Sequence, residues 1–308
     1  MKVLIIGLGS IATKHINALR QLNKSVEIYA LRTSKNSNKS EGVRDLFSYE
    51  EINFKPDFIL ISNPTIQHKE TILKALQFSV PLFIEKPSLA SMEGADDLVK
   101  AIGDKNIITY VACNLRFHAG VLFVKDFLNK NEKAINEINI YCGSHLPDWR
   151  PGRNFREIYS ANAEQGGGVH LDLIHEIDYL YWLFGKPVAV NSVKSSRSSL
   201  KIPAIDYANY CFEYPSFSAG LIVNYYRKDP KRIFEIVLED DTLTLDLIKC
   251  TVVNSKGELL FSSEEKIIHT YIPQMEYFLK CIHAKQKTMN TFEDSVEVLK
   301  MCLDETEK

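Results

Sequence analysis

Three stretches of this chain hold residue types whose spacing suits chemistry. The first is Gly7-Leu8-Gly9-Ser10-Ile11-Ala12, a G-x-G-x-x-A run between an apolar strand pattern and a helical one. In that setting Gly7 permits a tight turn, Gly9 lets a pyrophosphate approach the backbone, and Ala12 is small enough for close helix–strand packing. The helix entry adds free N–H groups and a partial positive charge. The second stretch is Glu85-Lys86-Pro87, where the proline ring restricts Lys86 to extended conformations. Pointed into a cleft, the Lys86 ammonium could polarise a carbonyl or share a proton with a hydroxyl. The third is Asp172, His175, Glu176 and Tyr179, spaced i, i+3, i+4 and i+7, which form one narrow polar strip on an otherwise apolar helix. Carboxylates and an imidazole are costly to bury unpartnered, so a cleft is expected at that strip. A satisfied buried His–Asp pair is the competing explanation. Asp178 points off the strip and reads as structural.

These residues need elements to place them. Residues 3–6 form an unbroken apolar run, as in a parallel strand covered on both faces, and Ala12, Ile16 and Leu19 give the following helix one apolar side. Strand and helix patterns then alternate: 26–31, 58–62 before a helix at 66–76, 82–85 before 92–102, and 107–112. The alternation predicts a doubly wound parallel sheet, with ligands at the carboxyl ends of its strands. That rule draws Asn63, Pro64, Glu85, Lys86 and Arg116 into the cofactor site with Gly7, Gly9, Ser10 and Ile11. Where a ribose-reading acid is expected, the chain has Leu31 followed by Arg32, Thr33, Ser34 and Lys35. A guanidinium and hydroxyls suit a 2′-phosphate, which favours NADP(H) over NAD(H), against the plainer reading of a solvated basic loop.

The second half begins with a linking helix at 120–127 and a strand at 134–142. The segment 143–165 has little periodicity, and a loop of that length in a compact enzyme is often functional. It carries Trp149, Arg150, Arg153, Arg156 and Tyr159, a set expected to line a substrate pocket and grip a phosphate or carboxylate. After Gly166-Gly167-Gly168 comes the helix bearing the polar strip, with Leu173, Ile177, Leu180 and Phe184 as its main stripe. Segments 188–195, 206–214, 218–225, 232–239 and 242–247 then read as strands, and helices at about 271–284 and 293–304 close the chain. The expected architecture is α/β: an N-terminal Rossmann doubly wound parallel sheet over 1–118, and over 119–308 an α+β domain with an open, mainly antiparallel sheet. One face of that sheet is expected to be free to meet a partner subunit.

Composition narrows the partners. The 308 residues include 37 basic and 39 acidic side chains, a net charge of -2, which gives no electrostatic case for nucleic acid or an anionic membrane. Cys113, Cys142, Cys211, Cys250, Cys281 and Cys302 lie far apart without metal-ligand spacing, so no metal is expected and a reducing, cytoplasmic setting fits. The first apolar run breaks at Gly7, too soon for a signal-peptide core, and no stretch approaches a membrane span. A small molecule becomes the expected partner.

The motifs G-L-G-S-I-A at 7–12, S-N-P-T-x-x-H at 62–68, E-K-P at 85–87, N-x-R-F at 114–117 and G-G-G-x-x-x-D-x-x-H-E-I-D at 166–178 occur together and in order. In this the chain resembles the glucose-fructose oxidoreductase, inositol dehydrogenase and rhizopine-catabolism (Gfo/Idh/MocA) oxidoreductases, over about its first 185 residues. The resemblance implies that Lys86 is the active-site lysine, that Asp172 and His175 are the acid/base pair, and that His68 joins the cofactor site. It also implies sugar metabolism. The Asp172–His175 spacing is shorter than the family's usual one, which leaves Glu176 or His170 open for the acid/base role. The resulting expectation is hydride transfer between NAD(P) and a sugar, sugar acid or nucleotide-sugar carbinol or ketone, in a homodimer or homotetramer. Two other classes remain: a redox-neutral enzyme that retains its cofactor, and a non-catalytic nucleotide-binding sensor.

Overall fold

A computed structural model describes residues 1–35 and 39–304. They form two compact units: Met1–Cys113 with Tyr271–Leu299, and Asn114–Thr270 with the residues that follow Leu299.

In the first unit the apolar runs become strands and the intervening amphipathic segments become helices. These are β1 (Lys2–Ile6), α1 (Ser10–Leu22), β2 (Glu27–Leu31), β3 (Val43–Leu46), β4 (Phe58–Ile61), α2 (His68–Ala75), β5 (Leu82–Ile84), α3 (Ala95–Asp104) and β6 (Thr109–Val111). The six strands are all parallel, in the order β3-β2-β1-β4-β5-β6, the doubly wound arrangement that the alternation predicts. Every residue of β4 is buried, and Ala12, Ile16 and Leu19 of α1 are buried together, as their spacing requires.

In the second unit the elements are α4 (Ala119–Lys130), β7 (Ile135–His145), α5 (Val169–Asp172), α6 (His175–Phe184), β8 (Ala189–Ser195), β9 (Tyr207–Glu213), β10 (Ser218–Asn224), β11 (Tyr226–Leu238), β12 (Thr242–Asp246), β13 (Thr251–Val253) and β14 (Leu259–Ser262). The eight strands run β14-β13-β12-β11-β7-β10-β9-β8, with β10 and β7 the parallel pair and the rest antiparallel. Alternation sorts the faces: Ile138, Ile140, Leu221, Phe234, Ile236 and Leu245 are buried under helices, while Asn139, Tyr141, Asn209 and Ile222 on the other face are partly or fully exposed. The two short outer strands, β13 and β14, carry too little pattern to be read from sequence.

Two expectations are corrected. Residues 271–299 do not stay with the 119–308 domain. Helix α7 (Tyr271–Ala284) packs on α1, with Phe278 edge-on to Phe58 at 5.1 Å and Phe83 at 5.3 Å, and α8 (Phe292–Leu303) follows it. The backbone N–H of Val111 donates to the Asn290 carbonyl at 2.9 Å and covers the free edge of β6. The second correction concerns the polar strip. The helix expected to carry it is broken at Leu173 (φ -103°, ψ 26°) into α5 and α6, so Asp172 and Glu176 do not sit one above the other on one helix.

Two buried ion pairs hold α6. Glu176, wholly buried, accepts from Arg232 of β11 at 2.5 and 3.1 Å, and Asp178 accepts from Arg116 at 2.9 and 2.7 Å. Removing one member leaves the other charged and desolvated. Arg232→Met is therefore expected to cost about 3–5 kcal/mol in urea unfolding, and Glu176→Leu in the same chain to recover much of that loss. The imidazoles of His118 and His170 are also buried, and burial pushes each down to about 4. Between the unfolded value near 6.5 and about 4, the unfolded chain takes up protons that the folded chain refuses, so stability must fall as pH drops through that window. The slope per ring is about 1.4 kcal/mol per pH unit. Urea midpoints measured from pH 7 to 4.5 should decline less steeply in a His118→Gln/His170→Gln variant than in the parent; equal slopes would contradict this origin.

Candidate active site

Unit one presents a glycine turn built for close approach. Gly7 adopts φ +91°, and a Cβ there would stand 2.4 Å from the Asn63 backbone, so both conformation and space demand glycine. The Ser62 hydroxyl donates to the Gly7 carbonyl at 2.7 Å and ties the ends of β1 and β4 together. Gly9 faces open space, with nothing within 4 Å of where its Cβ would be. Exposed Ser10 and half-buried Ile11 open α1, and the first turn of that helix holds no acid. An uncrowded backbone at an uncountered helix N-terminus fits a dinucleotide pyrophosphate.

The surrounding strand ends are less direct than expected. His68 is buried, and its ring lies between two carbonyls, Asn63 O at 2.9 Å from Nε2 and Ser88 O at 3.1 Å from Nδ1. Burial lowers its pKa, so the ring is neutral and donates to one of them. His68 thus ties the 63–65 turn to the loop after Lys86 rather than presenting itself to a ligand. Glu85 also turns inward: its Oε1 meets His15 Nε2 at 2.5 Å and its Oε2 accepts the Lys86 N–H at 3.1 Å. That fixes the backbone on which Lys86, half-buried and followed by a cis peptide to Pro87, is carried. The Asn63 amide donates to Thr71 Oγ1 at 2.8 Å, and Pro64 is exposed.

At the end of β2, the Arg32 guanidinium is largely buried and ion-paired with Asp45 of the neighbouring strand at 3.2 Å. Thr33 and Ser34 are exposed. Asp45 was invisible as a candidate because only the β2–β3 register brings it to Arg32.

In unit two the structure divides the ionisable residues of 170–178. Glu176 and Asp178 lie in buried ion pairs, which removes Glu176 from the acid/base candidates and Arg116 from the cofactor set. The Arg116 guanidinium also lies 5.6 Å from the Trp182 ring. His170 is buried against Gly168 and held near pKa 4, a poor fit to proton exchange near neutrality. Asp172 and His175 remain partly exposed. The Asp172 carboxylate accepts from the Tyr225 hydroxyl at 2.5 Å. Tyr225 is wholly buried, and burial followed by the Asp172 charge raises its pKa well above the usual value, so it is a phenol that donates. Sequence reasoning missed it, since nothing in the pair Tyr225-Tyr226 tells which ring turns inward.

Much of the 143–165 segment is ordered by its own contacts. Strand β7 runs on to His145, and the Trp149 indole donates to Ser144 Oγ at 2.9 Å while meeting Tyr225 edge-on at 5.2 Å. Tyr159 donates to the Gly166 carbonyl at 2.7 Å, a role in holding the loop rather than a substrate. A Cβ on Gly167 would stand 2.1 Å from Tyr159 O, which explains the middle glycine of the triplet. Arg156 donates to Leu200 O at 3.0 Å; Arg150 and Arg153 are exposed. Two hollows of about 290 and 750 Å³ in unit one lie beside Asn106 and Ile107, at the amino ends of strands, and hold none of these residues. Among the described residues no cluster suits a metal ion, and no helix is long and apolar enough to cross a membrane.

Comparison with known proteins places this geometry. Residues 1–113 match the oxidoreductase family, NAD-binding Rossmann fold model, and 131–244 match the GFO/IDH/MocA C-terminal domain. The chain is 27% identical to 2,7-anhydro-N-acetylneuraminate hydratase of Mediterraneibacter gnavus over 46% of its length and 35% of that protein. It is 26% identical to scyllo-inositol 2-dehydrogenase (NADP(+)) of Bacillus subtilis over 72% of its length and 62% of that protein, so less than two thirds of either relative is matched. In fold it resembles the solved UDP-N-acetylglucosamine 3-dehydrogenase of Acidithiobacillus ferrooxidans, with a TM-score of 0.79 at 19% identity over 98% of this chain and 95% of that one. With both domain models of one family matched in order over the glycine turn and the Asp172–His175 segment, the chain belongs to the Gfo/Idh/MocA oxidoreductases.

Proposed function

We propose that this protein is an NAD(P)-dependent oxidoreductase of the CH–OH class, acting on a sugar, a sugar acid or a nucleotide sugar. The observation that carries the reading is the sorting of the five ionisable side chains of 170–178 in unit two, where Glu176 and Asp178 are locked in ion pairs, His170 is buried, and Asp172 and His175 stay partly exposed. A bound nicotinamide supplies the hydride chemistry. Gly9, Ser10 and Ile11 hold its pyrophosphate through backbone N–H groups, while Gly7, whose own N–H donates to the Leu31 carbonyl, shapes the turn. Either His175 or Lys86 takes the single hydroxyl proton during oxidation and returns it during reduction. Asp172, fixed by Tyr225, orients the imidazole or favours its charged form. Trp149, Arg150 and Arg153 line the substrate's path, the arginines suited to an anionic group. The open face of the eight-stranded sheet supports self-association, and six free thiols suit a reducing cytoplasm.

The Arg32–Asp45 pair moves the cofactor reading from NADP(H) toward NAD(H). A 2′-phosphate would have to draw Arg32 from Asp45 and lie near that carboxylate. A second reading, a redox-neutral reaction with the cofactor retained, is favoured by the likeness to a hydratase. Turnover without net absorbance change at 340 nm would select it.

Assays should screen inositols, hexoses, uronic acids and UDP-sugars with both cofactors. His175→Ala and Lys86→Ala are each expected to lower kcat on the order of a hundredfold or more, with cofactor affinity by calorimetry little changed. Wild-type kcat in both variants would remove them from the mechanism. Calorimetry should also find NAD+ bound more tightly than NADP+, and Asp45→Asn should improve NADP+ binding on the order of tenfold, about 1.4 kcal/mol. Tighter NADP+ binding by the parent chain would restore the 2′-phosphate reading.

A further inference from the structure

Tyr225 is fixed from several directions. Its N–H donates to Asp206 O at 3.0 Å, its carbonyl accepts from Leu146 N at 2.8 Å, and Trp149 packs edge-on against its ring at 5.2 Å. The phenol donates to Asp172 Oδ2 at 2.5 Å. The phenol's one proton is thus committed to the carboxylate. We propose that Tyr225 is a positioning residue that aims the Asp172 carboxylate and keeps it an acceptor, and that Trp149 holds Tyr225 in that role.

The inference rests on the proposed reaction for its purpose and on geometry for its substance. A carboxylate free to rotate, or protonated, would not orient an imidazole. A buried hydroxyl at 2.5 Å removes both freedoms without adding a charge. Helix α5 packs on β9 and β10. Titratable groups on the elements around the pair include Tyr159, which acts on Tyr225, buried Asp206, whose carbonyl accepts the Tyr225 N–H, His170 on α5, His175 at the start of α6, and Tyr207 and Tyr210 on β9. Of these, Tyr159 and Tyr210 have hydroxyls engaged with Gly166 and Cys302 carbonyls, and His170 is buried neutral.

The test is Tyr225→Phe, which removes the hydroxyl and keeps the ring. In protein labelled with 13C at the aspartate carboxyls, the Asp172 resonance, identified by its loss in Asp172→Asn, should titrate at a higher pH in Tyr225→Phe than in the parent, because the carboxylate loses a short donor. An unchanged or lower midpoint overturns the proposal. Should Tyr225→Phe fail to fold, Trp149→Leu, which removes the ring packed edge-on against Tyr225, must move the same resonance in the same direction by less, and no movement is again fatal. With whichever screened sugar is turned over, Tyr225→Phe should lower kcat roughly tenfold to a hundredfold with KM nearly constant. If Asp172→Asn abolishes turnover while Tyr225→Phe leaves kcat intact, the positioning role fails and the proposed reaction stands. If Asp172→Asn keeps the parent's kcat, the reaction assigned to Asp172 fails, and the role of Tyr225 with it.

Discussion

The pairing of Glu176 with Arg232 is the constraint on which the second unit's chemistry depends. A wholly buried carboxylate is tolerable only with a charged partner in good hydrogen-bonding geometry, and β11 supplies one at 2.5 Å. The pairing sets α6 against the sheet, where Tyr179 meets Phe234 at 5.2 Å. Arg116 and Asp178 repeat the device two residues on. With α6 held, the break at Leu173 lets Asp172 reach Tyr225 while Glu176 reaches Arg232. Similar side chains close in sequence thereby acquire opposite roles, one pair structural and one available to a reactant.

The first unit solves a different problem, keeping several loops in register at the carboxyl ends of its strands. Backbone contacts dominate there. Gly7 lies against Asn63, Ser62 holds the Gly7 carbonyl, and His68 links the Asn63 carbonyl to that of Ser88. Glu85 joins buried His15 to the backbone N–H of Lys86. His68 and Glu85, which the motifs suggest as ligand contacts, thus spend these hydrogen bonds on the backbone around Asn63, Ser88 and Lys86.

The proposed chemistry follows from those two arrangements. A partly exposed imidazole can meet a reactant, whereas His170 is buried and held neutral at a pKa of about 4. Tyr225 supplies a fixed donor to the neighbouring carboxylate, and because it is uncharged it leaves the site's net charge unaltered.

How much of this could be read from residues alone follows from the range of the interactions concerned. Periodicity and turn chemistry are local, so the chain itself determined the Rossmann sheet, the glycine turn, the antiparallel second sheet and the strand end that carries Lys86. Ordered motifs brought out the family, and Asp178 was legible as structural because it lies off the polar strip. Partners distant in sequence were not legible. Arg32 with Asp45, Glu176 with Arg232, and Asp172 with Tyr225 are separated by 13, 56 and 53 residues, and only strand register and packing bring them together. The same holds for the return of α7 to the first unit. The break at Leu173 escaped because helical spacing assumes a continuous axis, and the axis yields where the Asp172 and Glu176 carboxylates answer to different partners. Sequence therefore named the residues able to do chemistry, and tertiary structure decided which of them are left available for it, because burial and pairing are set by neighbours far along the chain.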